Sequence, residues 1–294
     1  MSILNKLNNL IFKKKKYPNN FVYYIGTGGS RFSMMKQARK TGGIWFSYGG
    51  TNGIIDPGPG CLYHICNVSP PLDLHSIDTI ILTHKHIDHS TDINVIAEAM
   101  TNGGFEKRGT VILPDDCLNS EDPTLLHYSR RNIKEIITPV DRKFINLNNG
   151  VTIEPVELSH HGVQCYGYIF RKQGLKTWGI ISDTHYLEYL GDRYSDCEFI
   201  SMNITFTSKR DRMDHLSIEE VPEILKKIKS KLVVLVHLGI KALESKPDML
   251  VKKICTTTTK VIIGKDDMYI NLDTQTAYIQ TINKIEIRGY KPIP

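Results

Sequence analysis

The sequence predicts an α+β fold in which two β-sheets pack face to face and helices cover their outer faces. Three observations lead to this fold class. Both halves of the chain contain short apolar stretches of strand length, both contain a helix-like segment, and in both a buried strand is followed at once by a histidine. Because candidate ligands follow strand ends, we expect them to line one edge of the sandwich.

The first half supplies an extension, several strands and a helix. Residues 1–20 are predicted to be a basic N-terminal extension that includes a short amphipathic helix. Strands are predicted at residues 21–25, 44–48, 53–55 and 79–83, and a helix at residues 94–100. The run Ile80-Ile81-Leu82, set between β-branched threonines, is typical of a buried strand.

The second half repeats this organisation. Strands are predicted at residues 151–158, 166–171, 178–182, 232–236, 261–263, 268–272 and 277–282. A helix is expected to run from Ser217 to about Lys229, because Ser217 can cap it and Glu220 is the reciprocal partner three residues on. Residues 21–294 are therefore predicted to form a single domain.

Composition limits the class of protein. A chain of 294 residues, 40% hydrophobic and 23% charged, can bury a large core. The net charge of +6 suits an anionic substrate, although the lysine run at residues 13–16 contributes to it. That run is expected to be a solvated tail, with a nucleic-acid or membrane contact as the less favoured alternative.

The sequence shows no pattern typical of a signal peptide or a membrane span, and its cysteines are scattered. Both observations favour a cytoplasmic protein. No apolar run reaches the roughly 20 residues that a membrane-spanning helix needs, and the N-terminal lysines follow the apolar segment instead of preceding it as in a signal peptide. The six cysteines are scattered without a CxxC pair, which favours reduced thiols over disulfides or a structural zinc site.

The most informative segment follows the buried strand at residues 79–83. It contains His84, His86, Asp88 and His89, so three imidazoles and one carboxylate fall within six residues. His84, His86 and Asp88 alternate along an extended segment and should point the same way. Such ligands suit zinc, manganese or iron. The alternative is a surface histidine cluster of the kind found in metal-storage tracts.

This segment fills every defined position of HxHxDH and resembles the signature of the metallo-β-lactamase superfamily. Further segments resemble the family's other motifs in the same order: residues 54–60, 158–161 with 166–168, 181–184, and 234–239. The resemblance covers about residues 21–270. It implies a four-layer αββα sandwich of two mixed β-sheets, which is the metallo-β-lactamase fold.

The resemblance also implies a site for two divalent metal ions, zinc in the first place, with manganese or iron as alternatives. One ion would take His84, His86 and His161, the other would take Asp88, His89 and His237, and Asp183 would bridge them together with a water or hydroxide. Asp56 would lie behind the ligands and orient them. The alternative for Asp56 is a plain turn residue before Pro57.

The third histidine is ambiguous because His160 and His161 are neighbours. Adjacent side chains on a strand face opposite ways, so only one of them can bind. In the family the ligand usually stands six residues before a Gly-Tyr pair, and Gly167-Tyr168 selects His161 by that spacing. His160 would then be an outer-shell or exposed residue.

The resemblance is strongest to the ribonuclease Z branch and its phosphodiesterase relatives, and it implies Asp88 and His215 as catalytic residues. In that branch a histidine at the place of His215 lies beside the metals and is thought to protonate the leaving oxygen. The alternative is a histidine in the helix-capping region without a catalytic role. The glycine turn at residues 26–31 also resembles this branch, in which a glycine turn after the first strand lies near the substrate.

This glycine turn is a candidate substrate-binding segment. Its exposed backbone amides could hold a phosphate and Arg31 could add charge, which makes Gly28, Ser30 and Arg31 candidate substrate-binding residues. The alternative is a turn with a purely structural role.

These features predict a dinuclear metal-dependent phosphodiesterase that acts on a small nucleotide or sugar phosphodiester through a metal-bridging hydroxide. Ribonuclease Z itself carries a long tRNA-gripping arm between the third histidine and the bridging aspartate. Here His161 and Asp183 are only 22 positions apart, so tRNA is not expected as a partner. The expected partner is a small anionic substrate, without a membrane contact, and a homodimer is expected by analogy only.

Two alternatives remain open at this stage. The same metals can serve a lactone, ester or thioester hydrolase, and the chain can be a non-catalytic scaffold that binds metal or nucleic acid. One departure weakens the phosphodiesterase prediction, because relatives in that group often add a zinc site built from paired cysteines and no such pair is visible here.

Overall fold

The computed structural model describes residues 17–282 and 288–292, and for residues 280–282 and 288–292 it describes the backbone only. The amphipathic helix predicted in the N-terminal extension and the lysine run at residues 13–16 lie outside the described residues.

The strands in chain order are β1 (Phe21–Tyr24), β2 (Ile44–Tyr48), β3 (Thr51–Ile55), β4 (Thr79–Ile81), β5 (Arg108–Ile112), β6 (Ile133–Ile137), β7 (Ile145–Asn146), β8 (Thr152–His160), β9 (Val163–Arg171), β10 (Trp178–Ile181), β11 (Phe199–Asn203), β12 (Leu232–Val236), β13 (Lys260–Ile263), β14 (Met268–Asn271), β15 (Thr276–Ile282) and β16 (Arg288–Pro292). The helices are α1 (Ser30–Lys36), α2 (Cys61–Cys66), α3 (Ile87–Ser90), α4 (Ile93–Met100), α5 (His127–Arg130), α6 (Leu190–Arg193), α7 (Val221–Leu225), α8 (Ile240–Glu244) and α9 (Pro247–Val251).

The strands form two mixed sheets. The first sheet has nine strands in the order β16-β15-β14-β1-β2-β3-β4-β5-β6, and the second has seven in the order β13-β12-β11-β10-β9-β8-β7. Strands β3 to β6 are parallel in the first sheet, and β10 to β13 are parallel in the second. The carboxyl ends of these parallel strands lie at the edge of the sandwich where the candidate ligands are found.

The inner faces of the two sheets share one apolar core. The ring centroid of Phe46 in β2 lies 5.2 Å from that of Phe170 in β9 and 5.8 Å from that of Trp178 in β10. Residues adjacent to inward-facing ones point the other way, as alternation along a strand requires. Trp45, next to Phe46, therefore belongs to a separate buried cluster on the outer face of the first sheet.

Helices cover both outer faces. Ile93 and Met100 of α4 pack in the cluster outside the first sheet. Ile224 of α7 packs with Ile200 of β11 and Val233 of β12 outside the second sheet. The predicted α+β sandwich with four layers, αββα, is therefore confirmed. Among the described residues, no helix combines the length and apolarity needed to cross a membrane.

The helix predicted from Ser217 begins as expected but is shorter. The capping box between Ser217 and Glu220 is present, and it opens a 3-10 turn, Ile218–Glu220, that leads into α7. Helix α7 ends at Leu225, four residues before the predicted end near Lys229. This helix start matters for the site because His215 lies two residues before the cap.

Candidate metal centre

Histidines and aspartates from both sheets converge at one edge of the sandwich. The loops after β4, β10 and β12 carry His84, Asp183 and His237, and β8 ends in His160. The short helix α3 carries Asp88 and His89. The side chains that could hold a metal fall into overlapping groups formed by His84, His86, Asp88, His89, His160, Asp183, His237 and the nearby His161 and His215.

The first ligand group is formed by His84, His86 and His160. Nδ1 of His86 lies 3.0 Å from Nε2 of His84 and 3.1 Å from Nε2 of His160. Two imidazole nitrogens bound to one tetrahedral zinc ion at the usual bond length are about 3.3 Å apart. The spacing of these nitrogens therefore fits a single small divalent cation.

The second group is formed by Asp88, His89 and His237. The Nε2 atoms of His89 and His237 lie 3.0 Å apart, and Oδ2 of Asp88 is 3.4 Å from Nε2 of His237. Oδ2 of Asp183 lies between the groups, 3.3 Å from Nε2 of His237 and 3.6 Å from Nε2 of His160. The structure thus brings together the predicted residues, with one exception.

The exception is the third histidine, for which the structure places His160, not the predicted His161, beside His84 and His86. His160 is 2% exposed and ends β8, opposite Val163 of β9. His161 and Gly162 form the intervening turn with φ of 45° and 73°, typical of a type I′ hairpin. The imidazole of His161 is one-third exposed, and its Nδ1 lies 3.7 Å from Oδ2 of Asp214. The register of the hairpin therefore corrects the prediction to His160.

Asp56 lies behind the candidate ligands. Its carboxylate accepts hydrogen bonds from the backbone N–H and the hydroxyl of Thr83, both at 2.7 Å, and from Nδ1 of His89 at 2.9 Å. Because a carboxylate only accepts, Nδ1 of His89 carries a hydrogen, and Nε2 is the nitrogen that faces the cluster and can bind a metal once it has lost its own proton. The hydroxyl of Thr83 is also 3.0 Å from Nδ1 of His84.

Two further outer partners were not predicted from the sequence. Nδ1 of His160 donates to the backbone carbonyl of Asp214 at 2.7 Å, and Nδ1 of His237 lies 3.0 Å from the hydroxyl of Thr205. Imidazoles whose outer nitrogen is fixed in this way present the other nitrogen to a metal in a set orientation. The donor set, the spacing and these outer contacts together fit a divalent metal centre.

The charges of the aspartates suit cation binding. Burial alone would raise the pKa of Asp183, but the imidazoles of His237 and His89 outweigh it and hold that pKa well below its usual range. The pKa of Asp88 is likewise lowered, because His89 and His237 outweigh the effect of burial. Both carboxylates are therefore ionised, and Asn203 Nδ2 donates to Oδ1 of Asp183 at 2.8 Å, which leaves Oδ2 facing the cluster.

The three histidines of the first ligand group are neutral at pH 7. Burial lowers the pKa of His86 and of His160 to about 4, and it holds that of His84 well below its ordinary value. His89 differs: burial would lower its pKa, but Asp183, Asp88 and Asp56 raise it well above the ordinary value. A cation at this position would replace the proton on His89, so metal binding there releases a proton.

His215 lies beside the candidate metal centre and lines a pocket of about 840 Å³ together with His86, Asp88, His160 and Asp183. Its Nδ1 is 3.6 Å from Oδ2 of Asp183 and 3.1 Å from the hydroxyl of Thr205. Burial lowers the pKa of His215 to about 4, against the opposing effect of Asp183. An anionic phosphate bound in the pocket would raise the pKa of His215 and so favour the protonated imidazole.

The glycine turn at residues 26–31 does not offer the free amides that were predicted. The N–H of Gly28 donates to the carbonyl of Lys40 at 3.0 Å, and the N–H of Ser30 donates to Oδ2 of Asp88 at 3.1 Å. Ser30 and Arg31 do line the pocket, whereas Gly28 does not. The prediction that these amides hold a phosphate is thus corrected, because the protein itself occupies them.

The turn instead packs against the ligands. A Cβ atom built on Gly29 would lie 2.1 Å from the ring of His237, so the position accepts only glycine while that ring stays in place.

Thr205 offers a test of the outer contacts. We expect Thr205→Val to weaken metal binding or turnover by roughly 10–100-fold, because it removes the hydroxyl shared by Nδ1 of His215 and of His237 while keeping the side-chain volume. Titration with zinc in a chelator-buffered series would measure the change. Thr205→Ser retains the hydroxyl and is the matched control. Equal metal affinity in the valine and serine variants would contradict the assigned contact.

Comparison with known families identifies the chain. A family model described as a β-lactamase superfamily domain matches residues 51–238, which is more than half of the chain. The chain belongs to the metallo-β-lactamase superfamily. An uncharacterized protein of Methanocaldococcus jannaschii is similar, with 23% identity over 228 residues, 75% of this chain and 83% of that protein.

Members of the superfamily named ribonuclease Z are also similar. That of Borreliella afzelii is 28% identical over 153 residues, 50% of this chain and 46% of that protein. The chain therefore spans about half the length of this relative. The metallo-β-lactamase fold protein YhfI from Bacillus subtilis has a TM-score of 0.70 at 19% identity, covering 85% of this chain and 98% of that chain.

The match to YhfI concerns the fold alone. The predicted resemblance to the superfamily and to its ribonuclease Z branch is confirmed by the family and sequence matches, which indicate a metal-dependent hydrolase.

Proposed function

We propose that this superfamily member is a dinuclear metal-dependent phosphodiesterase whose substrate is a small nucleotide or sugar phosphodiester. The observation that carries the proposal is His215, which lies beside both ligand groups but has Thr205 as its hydrogen-bond partner and a face toward the pocket. Phosphodiester cleavage releases an alkoxide, and a histidine at this place can supply the proton that it needs.

Two divalent cations in the ligand groups would lower the pKa of a water between them and neutralise charge on the phosphoryl oxygens. Zinc suits the imidazole-rich donor set, and manganese and iron are alternatives that the same ligands accept.

The chain's own residues have separate tasks. Asp88 is held by the N–H of Ser30 on one side and lies 3.4 Å from His237 on the other, so its carboxylate keeps a fixed position at the floor of the pocket. Arg31 and Lys85 line the same pocket and supply positive charge for an anionic substrate. This charge favours a phosphodiester over a neutral lactone or ester.

The connection between His160 and Asp183, two candidate ligands carried by the second sheet, supports a small substrate. Between His160 and Asp183 the described chain contains only the hairpin turn, β9, a second short connection and β10. The relatives named ribonuclease Z support a phosphodiester as the reacting group. A compact connection in place of a long inserted arm favours a small substrate over tRNA.

The decisive experiment offers metal-loaded protein a panel of bis-(p-nitrophenyl) phosphate, 2′,3′-cyclic nucleotides, lactones and thioesters. We expect turnover of the phosphodiesters. Turnover of lactones or thioesters alone would assign the site to carboxylic ester chemistry. Bound metal without turnover of any substrate would favour a scaffold.

His215→Ala should separate the role of this residue from metal binding. We expect both metals to remain and turnover of substrates with poor leaving groups to fall by about 10²–10⁴-fold, because the proton donor is lost, while p-nitrophenyl esters slow much less. Elemental analysis and a series of leaving groups would measure this. His185→Ala, a half-exposed histidine outside the pocket lining, is the control. Equal slowing for all leaving groups would argue against a proton donor.

A further inference from the structure

We infer that the pocket beside the metal centre contains a subsite for a flat apolar group, such as an aryl ring or nucleobase, esterified to the phosphodiester that the protein cleaves. The inference rests on the proposed function and deepens it. Its basis is a set of large apolar side chains that line the same pocket although they are open to solvent: Phe32 is 69% exposed, Ile87 60% and Met213 41%. Single exposed apolar residues are common, but several that line one pocket indicate a binding surface.

Phe32 and Ile87 are fixed relative to the metal ligands. Phe32 lies in α1, two residues after Ser30, whose N–H donates to Oδ2 of Asp88 at 3.1 Å. Ile87 directly precedes Asp88 in α3, and α1 contacts α3. These two apolar side chains therefore form a wall on the Asp88 side of the pocket.

Met213 adds apolar surface to the lining of the same pocket. Its backbone carbonyl accepts a hydrogen bond from the N–H of His215 at 2.8 Å, so it lies next to the candidate proton donor. A phosphoryl group at the ligand cluster would thus have apolar surface nearby, next to both Asp88 and His215. This suits a diester in which at least one esterifying group is apolar.

Charge and size define the group further. Arg31 and Lys85 line the pocket among the apolar side chains, and Lys85 Nζ donates to the hydroxyl of Ser120 at 3.1 Å, which holds its charge in place. A pocket of about 840 Å³ is larger than a dialkyl phosphate requires and lies in the usual range for sites that bind larger organic ligands. An anion that carries an aromatic ring satisfies both the cations and the apolar surface, and Phe32 can stack on such a ring.

The test compares two diesters with the same leaving group and the same charge: phenyl 4-nitrophenyl phosphate and methyl 4-nitrophenyl phosphate. The metal-loaded protein is expected to favour the phenyl ester, and Phe32→Ala is expected to reduce kcat/KM for this ester by about 5–100-fold, the range typical of stacking on one aromatic side chain. The methyl ester should be cleaved at an unchanged rate. Phe32→Trp should restore the preference, because it restores an aromatic face.

Phe105→Ala is the matched control. Phe105 is 91% exposed and does not line this pocket, so this variant should keep the phenyl preference. An equal effect of Phe32→Ala on both esters would overturn the subsite and leave the phosphodiesterase proposal standing. No turnover of either ester by the unaltered protein would overturn the phosphodiesterase proposal itself.

One further result would also reject the subsite. If Phe32→Ala turned a dimer into a monomer in sedimentation while the ratio between the two esters stayed the same, the apolar wall would be a contact between two copies of the chain.

Discussion

His160→Ala is expected to release metal and to reduce turnover by more than the roughly 10–100-fold that loss of an outer contact costs, whereas His161→Ala retains both. The reason is geometric: Nε2 of His160 lies 3.1 Å from Nδ1 of His86, while His161 begins the hairpin turn and its side chain is one-third exposed. Elemental analysis after dialysis and steady-state turnover would measure the two variants together.

The two neighbouring substitutions serve as controls for each other, since both remove an imidazole from the same hairpin. If His161→Ala lost the metal and His160→Ala kept it, the spacing argument from the Gly-Tyr pair would be right and the hairpin register described above would be wrong. Loss of metal in both variants, with native thermal stability, would indicate that both residues contribute.

Asp183→Asn is the second variant for which we expect a large effect. Oδ2 of Asp183 lies 3.3 Å from His237 and 3.6 Å from His160, so one carboxylate oxygen contacts both ligand groups. The amide has nearly the same shape but lacks the negative charge that two adjacent cations need. We expect metal content and activity to fall together. Each should fall by more than the roughly 10–100-fold that loss of an outer contact costs.

Elemental analysis of Asp183→Asn beside Asp192→Asn would test this expectation. Asp192 is an exposed acid paired with Lys227 and is remote from the pocket lining, so its variant should keep full metal content and turnover. Retention of both metals by Asp183→Asn would rule out the bridging position.

Much of the fold follows from local patterns in the sequence. Strands β2 and β12 have the predicted ends because each is a short, mostly apolar run, bounded by glycines in β2 and by Lys231 and His237 in β12. Strands β5, β6 and β11 were not predicted. β6 carries the exposed Lys134 and Glu135, and β11 contains the buried polar residue Ser201, so neither shows a clear apolar run. Their pairing is decided by neighbouring strands that lie far away in the sequence.

The candidate site could be predicted where its residues stand in a continuous motif. This applies to the segment from His84 to His89. It also applies to Asp183 and His237, because each follows the end of a recognisable strand. The choice between His160 and His161 depends on which face the hairpin turns inward, which spacing alone does not determine. Thr205 could not be found from the sequence either, since it meets His237 across 32 positions through the pairing of β11 with β12.

Each ligand group draws on both sheets. His84 and His86 follow a strand of the first sheet and meet His160 of the second, while Asp88 and His89 meet His237 across the same gap. A cation in either group would therefore act as a cross-link between halves of the chain that are distant in sequence. The free energy of metal binding would add to the stability of the packed sheets. Metal binding and the packing of the two sheets against each other would then be thermodynamically linked.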